Sequence, residues 1–581
     1  MHIMPRQGWI NDPCAPGYDA SSRTYHVGFQ WNPIDTEWGN ISWGAAHSRD
    51  LVSWTTSQGP TLTPARPHDR AGVFTGCLRS SDIDGSTDRG VLTCAYTAVK
   101  QLPIHHSIPY IRGSETVALA VSSDAGRTWT SFEKNPVVAE PPPDLDISGW
   151  RDPYVAPWPV VDGLLRHGKI EKEAHTGRES LYGLLSGGVR GRSPTTFLYE
   201  IDGAGLDRWQ YLGPLIEPGL NFSPCPRWVG DFGVNWEVCN FVTLSDKASG
   251  ASQEFIICGV EGRIPPPKEI LRKGEFRATH AQMWLSGPVR CEDQVPRMSY
   301  RVGGTLDHGS FYAGNSFWDP QTEEHIIFGW LLEDDLSTEL RERQGWAGVL
   351  SLPRVMKLLV LHSIVGALVS KLASIACFEF VHEDDSLSRY TGYTLCTVPD
   401  PRLEKLRLEE QRLFIQDENE PLVVYFTKPL TTWEAKISFF MGDLQSRVGF
   451  SILYGDDENT DIYFEPSAEA VVIDRSKSSS IPAVRKGNER APHTLFKFAS
   501  PPSSQNGHDE AHILETLEFH VFYDCSVLEV FVNRRTVIST RVYPSSGTSI
   551  GLVLLRDHSG QKHAELLQCR LWPLETRGVC V

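Results

Sequence analysis

Two stretches of the chain, Ser48-Arg49-Asp50-Leu51-Val52-Ser53-Trp54 and Ser123-Asp124-Ala125-Gly126-Arg127-Thr128-Trp129, each end an apolar run with a polar turn followed by Trp. A unit recurring over that distance holds several short strands. Small sheets repeated around an axis leave only short, protected edges, which is the logic of a β-propeller blade. The intervening sequence fits this plan. Residues 25–30, 116–122, 181–185, 255–260 and 326–332 are mostly apolar, with β-branched or aromatic residues in most, and are separated by turn-rich stretches. The 17 Trp, 17 Tyr, 49 Gly and 39 Pro also lean toward strands and turns. The fold class is read as all-β, a propeller, with sandwich domains in series as the alternative.

At 581 residues the chain exceeds what one hydrophobic core holds, so two domains are expected. The pattern changes after Pro353. Alternating runs at 432–440, 447–454, 462–465, 471–473, 517–522 and 527–532, spaced by Gly, Asp, Asn and Ser turns, read as an antiparallel sandwich. The expected division is 1–355, a connector 356–382, and 383–581. Within the connector, 358–370 is apolar but shorter than the roughly 20 residues that cross a bilayer, so a buried strand or interdomain helix is expected. Residues 157–178 read as an exposed insertion and 501–510 as a mobile loop.

A net charge of −17, with no basic block interleaved with aromatics, argues against nucleic acid as a partner. The 12 Cys form no CxxC pair, and no His/Asp cluster with ligand spacing stands near the candidate acids, so neither metal nor cofactor is expected. Met1-His2-Ile3-Met4-Pro5-Arg6 is not a secretory signal, which leads to a cytoplasmic expectation, with a secreted protein lacking its leader as the alternative. The sequons at Asn40 and Asn221 carry little weight.

Three acids stand in short Trp-flanked motifs: Trp9-Ile10-Asn11-Asp12-Pro13, Trp150-Arg151-Asp152-Pro153 and Trp236-Glu237-Val238-Cys239. A lone Asp-Pro is usually a turn or strand cap; the flanks alter that reading. In the first motif an aromatic wall, an amide that hydrogen-bonds hydroxyls and a carboxylate fall within five residues. In the second, Arg151 is expected to keep nearby carboxylates ionised, which suits an acid that stays negative. In the third, apolar neighbours are expected to desolvate Glu237 and raise its pKa toward that of a proton donor. Cleavage of a glycosidic bond needs one acid in each such state, so the candidate chemistry is that of a sugar-cleaving enzyme with a saccharide as its partner.

The first motif resembles the W-M-N-D-P of glycoside hydrolase family 32, the invertases, inulinases and fructosyltransferases. Further likenesses follow in chain order: Phe29-Gln30-Trp31-Asn32-Pro33 to Q-x-N-P, Trp38-Gly39-Asn40-Ile41-Ser42-Trp43-Gly44 to W-G-x-x-x-W-G, and Asp50-Leu51-Val52-Ser53-Trp54 to D-L-x-x-W. Gly72-Val73-Phe74-Thr75-Gly76-Cys77 is similar to G-x-F-S-G-S, Arg151-Asp152-Pro153 to R-D-P, and Gly345-Trp346-Ala347-Gly348-Val349-Leu350-Ser351-Leu352-Pro353-Arg354 to G-W-A-G-x-x-S-L-P-R. Ser526-Val527-Leu528-Glu529-Val530-Phe531 and Ser539-Thr540-Arg541-Val542-Tyr543-Pro544 resemble the family's sandwich motif.

The resemblance implies a five-bladed β-propeller followed by a C-terminal β-sandwich, with the site in a funnel on the propeller axis. It implies Asp12 as nucleophile, Glu237 as acid/base and Asp152 as transition-state stabiliser, with Asn11, Gln30, Trp38, Phe74, Thr75 and Arg151 lining a fructosyl pocket. The implied activity is retaining hydrolysis of terminal β-fructofuranosides, sucrose foremost, through a covalent fructosyl-enzyme. A fructosyltransferase, an exo-inulinase and, from another class, an inactive sugar-binding propeller are the alternatives. Two departures bear on the site: the family's E-C pair is stretched to Glu237-Val238-Cys239, and Thr75 replaces Ser. With eight residues before Trp9, the first propeller strand is expected to be incomplete. For Glu529 and Arg541, structural and interdomain contacts are at least as good a reading as sugar binding.

Overall fold

The computed structural model describes residues 1–575 apart from 88, 167–179, 202–204, 265–279, 385–386, 412–422, 442–445, 501–511 and 556–563. The loop expected at 501–510 lies outside the described residues. Among the described residues of the N-terminal part, five sheets of four or more strands follow one another, opened by the strands Gly8–Asp19, Gly72–Arg79, Ile147–Ala156, Asn235–Ser245 and Phe311–Asp319, with a small hairpin of Val289–Glu292 and Val295–Met298 beside them. Within each sheet the successive strands pair antiparallel, as alternating apolar runs joined by short turns dictate. The opening strands also touch in order, first to second through fifth, and the fifth returns to the first. The five strands therefore close a ring.

The repeated turns are built alike. Ser48 and Ser122 each donate a side-chain hydrogen bond to the Asp two residues on, at 3.0 and 2.7 Å, and Asp50 and Asp124 accept backbone N–H groups of the turn. The equivalent of Ser48 is thus Ser122 rather than Ser123. In each case the following Trp docks: Trp54 against Phe328 and Trp129 against His26.

The first and last sheets are joined by the Gly345–Arg354 motif. Trp346–Ala347 pairs parallel with Gly8 and Trp9, while Val349–Leu350 pairs antiparallel with Trp330 and Leu331. Gly348, at φ +81°, lies where a Cβ would come within 2.2 Å of the Ile10 carbonyl oxygen, so only glycine passes there. The first sheet is five-stranded, with Trp346–Ala347 from the far end of this region added beside the ring strand Gly8–Asp19, which spans 12 residues.

Residues 358–370 fall mostly in the strand Arg354–Ala367, the strand arm of the expectation, which pairs first with Glu324–Leu331 and then with Leu387–Pro399. Among the described residues no helix is long and apolar enough to cross a membrane. Residues 157–178 begin as helix Pro159–Arg166, with Trp158 and Val161 buried in the core, so their start is anchored rather than an exposed insertion; 167–178 lie outside the described residues. The C-terminal part is two sheets of six and five strands packed on one core, where Phe450 of one meets Phe519 of the other at 5.7 Å.

Candidate active site

Every opening strand carries a β-bulge, and the bulges gather the candidate residues. Pairing slips between Ile10 and Pro13, between Val73 and Gly76, opposite Arg151 to Tyr154, between Glu237 and Asn240, and between Tyr312 and Asn315. A bulge bends the strand and re-aims a side chain out of the alternation. Asp152, Val238 and Ala313, each inside a bulge, take left-handed φ values of +59°, +45° and +52°. Strain of that kind persists only where surrounding contacts hold it. Those contacts are present: Val238 N–H donates to Asp152 Oδ2 at 3.0 Å, Asp152 N–H to Thr97 Oγ1 at 2.7 Å, and Cys239 N–H to Ser186 Oγ at 2.8 Å. Asn240 and Asn315 reach across to carbonyls of neighbouring bulges. The additional residue in Glu237-Val238-Cys239 therefore sits in a bulge whose N–H holds Asp152.

Asp12 is held by three residues. Thr75 donates to its Oδ2 at 2.5 Å, Gln30 to the same oxygen at 3.2 Å, and Asn11 to Oδ1 at 3.2 Å. Gln30 is itself fixed by Thr75 at 2.7 Å and Asn11 at 3.1 Å, so the threonine hydroxyl takes the place expected of Ser. Burial and the charge of Glu237 push Asp12 up to about 7, against the Thr75 and Asn11 hydrogen bonds. The side-chain amide oxygen of Asn11, Oδ1, is buried without a hydrogen bond among the described residues, an acceptor for a ligand hydroxyl. Phe74 and Trp38 meet edge to face at 5.9 Å, and Trp38 is 48% exposed, so this pair forms an open aromatic wall.

Arg151 organises the opposite side. Its Nη1 donates to Glu115 at 2.9 Å, its Nε and Nη2 to Glu237 Oε1 at 3.1 and 2.8 Å, and Nη2 also to Glu261 at 3.3 Å. Tyr312 donates to the other Glu237 oxygen at 2.6 Å. Two expectations are corrected here. The contacts of Glu237 are a guanidinium and a hydroxyl, because the Trp236 side chain packs into the core and Val238 into its bulge. Asp152 was expected to stay negative beside Arg151, yet burial and the nearby Asp12 and Glu237 push it well above the usual carboxylate range, and the opposing Arg151 charge does not outweigh them. The guanidinium is spent on Glu115, Glu237 and Glu261.

Asp12, Asp152, Glu237, Asn11, Gln30, Thr75 and Arg151 are thus linked through hydrogen bonds and mutual charge, with Phe74 and Trp38 alongside. The sequence reading missed Glu115, Glu261, Tyr312 and Thr97. Glu115 sits in Gly113-Ser114-Glu115-Thr116 and Tyr312 in Phe311-Tyr312-Ala313-Gly314, where no flanking pattern separates them from ordinary strand residues. The described cysteines are free thiols, and six of them are buried.

Residues 2–369 match the model of the glycosyl hydrolases family 32 N-terminal domain, and 402–573 that family's C-terminal model. The chain is 24% identical over 609 residues to an acid beta-fructofuranosidase of Solanum lycopersicum, covering 100% of this chain and 82% of that one. It superposes on the crystal structure of a fructosyltransferase from A. japonicus with a TM-score of 0.81 at 26% identity, covering 99% of this chain and 94% of that one. An Aspergillus kawachii beta-fructofuranosidase complexed with glycerol gives 0.82 at 26%, covering 100% and 94%.

Proposed function

Because the chain belongs to glycosyl hydrolase family 32, we propose that it is a retaining β-fructofuranosidase that cleaves sucrose at a site built from Asp12, Asp152 and Glu237. The observation that carries this reading is the meeting of the three acids at bulges of the ring-forming strands, charge-coupled to one another. The ring of five sheets supports a five-bladed propeller over 1–355, and the two packed sheets, whose strands run from Val423 to Pro573, support a sandwich within 383–581, while Leu387–Pro399 continues the fifth sheet of the ring.

In the proposed reaction Asp12, with Thr75, Gln30 and Asn11 fixing its oxygens, attacks the anomeric carbon of the fructosyl unit. Glu237 gives its proton to the glycosidic oxygen, so glucose leaves with the bonding pair and the fructosyl group is esterified to Asp12. Water then loses a proton to Glu237 and attacks the same carbon, releasing fructose and restoring both acids. The chemistry needs Asp12 ionised and Glu237 protonated. Since the two carboxylates feel each other, that state is one proton on a coupled pair. Asp152 and Asn11 Oδ1 face the sugar hydroxyls, Arg151 holds Glu237, and the Trp38–Phe74 wall bounds the pocket.

A second reading, transfer of the fructosyl group to another sugar, is raised by the A. japonicus fructosyltransferase, whose TM-score of 0.81 is level with the 0.82 of the A. kawachii beta-fructofuranosidase. The two share the first half-reaction and diverge in what attacks the ester. Incubation with concentrated sucrose, quantifying glucose and fructose separately, decides. Equal release establishes hydrolysis; glucose in excess, with new oligosaccharides, establishes transfer; and no release of either removes the assignment.

A further inference from the structure

His105, His106 and Glu261 bring one ligand atom each to within 4.8 Å of one another. Glu261 is buried and divides its oxygens: Oε2 accepts from Asn235 at 2.8 Å and Arg151 at 3.3 Å, while Oε1 faces His106 Nδ1 at 3.5 Å and His280 Nε2 at 3.9 Å. His106 Nδ1 is buried and makes no hydrogen bond. A buried ring nitrogen that stops 3.5 Å from a carboxylate oxygen, itself without a hydrogen bond among the described residues, is an unfinished arrangement. Its surroundings are fixed. Arg190 donates to the His106 carbonyl at 3.2 Å, the His105 and His106 rings lie 4.1 Å apart, and a Cβ at Gly262 would come within 3.2 Å of His106 Nε2. Ser107 N–H donates to His105 Nδ1 at 3.2 Å and Ser107 Oγ lies 2.7 Å from it, so Nε2 carries the ring proton in the metal-free chain; an ion bound at Nε2 would shift that proton to Nδ1, where Ser107 Oγ can accept it.

We propose that His105, His106 and Glu261 form a binding site for a borderline-soft divalent transition-metal ion such as Zn²⁺, and that its occupancy inhibits turnover. Two imidazoles and one carboxylate are a nitrogen-rich donor set that favours Zn²⁺ over the oxygen-seeking Mg²⁺ and Ca²⁺. His280, 45% exposed on its side chain and already beside Glu261 Oε1, is placed to add a fourth ligand. Inhibition follows from the link to Arg151. Arg151 Nη2 bonds both Glu261 and Glu237, so a cation seated on Glu261 repels that guanidinium and disturbs the contact that positions Glu237. The ion takes no part in bond cleavage.

The test is calorimetric titration of Zn²⁺ into the chelator-treated full chain, with sucrose turnover measured in parallel. The expected result is one equivalent bound, inhibition that saturates with it and is reversed by EDTA, and neither effect with Mg²⁺. His105→Ala and His106→Ala should each weaken Zn²⁺ binding by about tenfold or more and raise the half-inhibiting concentration by the same factor. Metal-free His105→Ala should turn over as the parent does. Parent-like Zn²⁺ affinity in both variants, which would put the ion on exposed thiols such as Cys291 or Cys525, overturns the site, as does no binding by the parent. Binding without inhibition overturns the inhibitory role. Calorimetry needs no turnover, so failure of the site is distinguishable from failure of the sucrose assignment.

Discussion

Two buried arginines, Arg151 in the candidate site and Arg354 between the two halves of the molecule, stand among carboxylates and do opposite things. Arg354 and its partners are closed off: the guanidinium bonds Asp307 at 2.9 Å, Glu529 at 2.7 and 3.1 Å and Ser539 at 2.6 Å, and all three charged side chains are 0% exposed. Asp307 also accepts from the Ser539 backbone, and Glu529 from the Leu352 backbone. Despite burial, Arg354 holds Glu529 below the usual carboxylate range. Around Arg151 the balance is mixed: burial and crowding push Glu115, Asp152 and Asp12 up, Glu261 alone is held down to about 2 by His106 and Arg151 against its burial, and Glu237 stays 21% exposed. A cluster whose charged groups are all bonded and closed off fixes a joint; one with more carboxylates and an open side is placed to hold protons for chemistry.

The largest expected effect is at the site. Asp12→Asn and Glu237→Gln should each lower kcat for sucrose by about 10³-fold or more while the variants unfold cooperatively like the parent. Near-parental turnover in either would remove that acid from the reaction. The closed-off cluster should respond in the opposite sense. Arg354→Ala leaves Asp307 and Glu529 buried and uncompensated, so unfolding in urea should show a loss of about 3–5 kcal/mol, with kcat per folded molecule retained. Destabilisation by less than about 1 kcal/mol would mean that the joint does not depend on the ion pairs.

A subtler contrast is in pH. A carboxyl whose folded-state pKa is raised binds a proton that the unfolded chain has lost, so its contribution to stability is present below about 4 and is lost as pH rises through about 7. Asp12→Asn removes that term. Thermal unfolding should therefore place the variant above the parent at pH 7.5, with the gap closing at pH 4. An equal gap at both pH values would show that Asp12 is not strained by its burial.

Much of this contrast was written in the chain, though unevenly. The Trp-flanked acids and the turn repeat were legible because strand alternation and turn chemistry are local, and the predicted strands at 25–30, 116–122 and 527–532 correspond to Thr24–Asn32, Glu115–Ser122 and Val527–Val532. The structural reading of Glu529 and Arg541 also holds, since Glu529 bonds Arg354 and Arg541 bonds Glu333 at 2.8 Å across the two halves. What was not legible is whatever depends on which strands become neighbours. Glu115 and Glu261 matter because Arg151 lies between them, and Glu237 looks apolar in sequence while its contacts come from Arg151 and Tyr312, remote in the chain. The bulges hid as well, because Val238 reads as an insertion until its N–H is seen on Asp152.

The finest test separates a hydrogen bond from the space it occupies. Thr75 donates to Asp12 Oδ2 and thereby lowers the Asp12 pKa against burial. Thr75→Val keeps the shape and removes the donor, so the ionised nucleophile loses a charge-assisted hydrogen bond and the acidic limb of kcat/KM should move to higher pH by about one unit. Thr75→Ser keeps the hydroxyl and should leave that limb in place. If Thr75→Ser shifts the limb and Thr75→Val does not, the methyl group rather than the hydroxyl positions Asp12. If neither does, the limb belongs to another member of the coupled set, and the crowding of carboxylates around Arg151, not the Thr75 contact, sets the pH at which the site works.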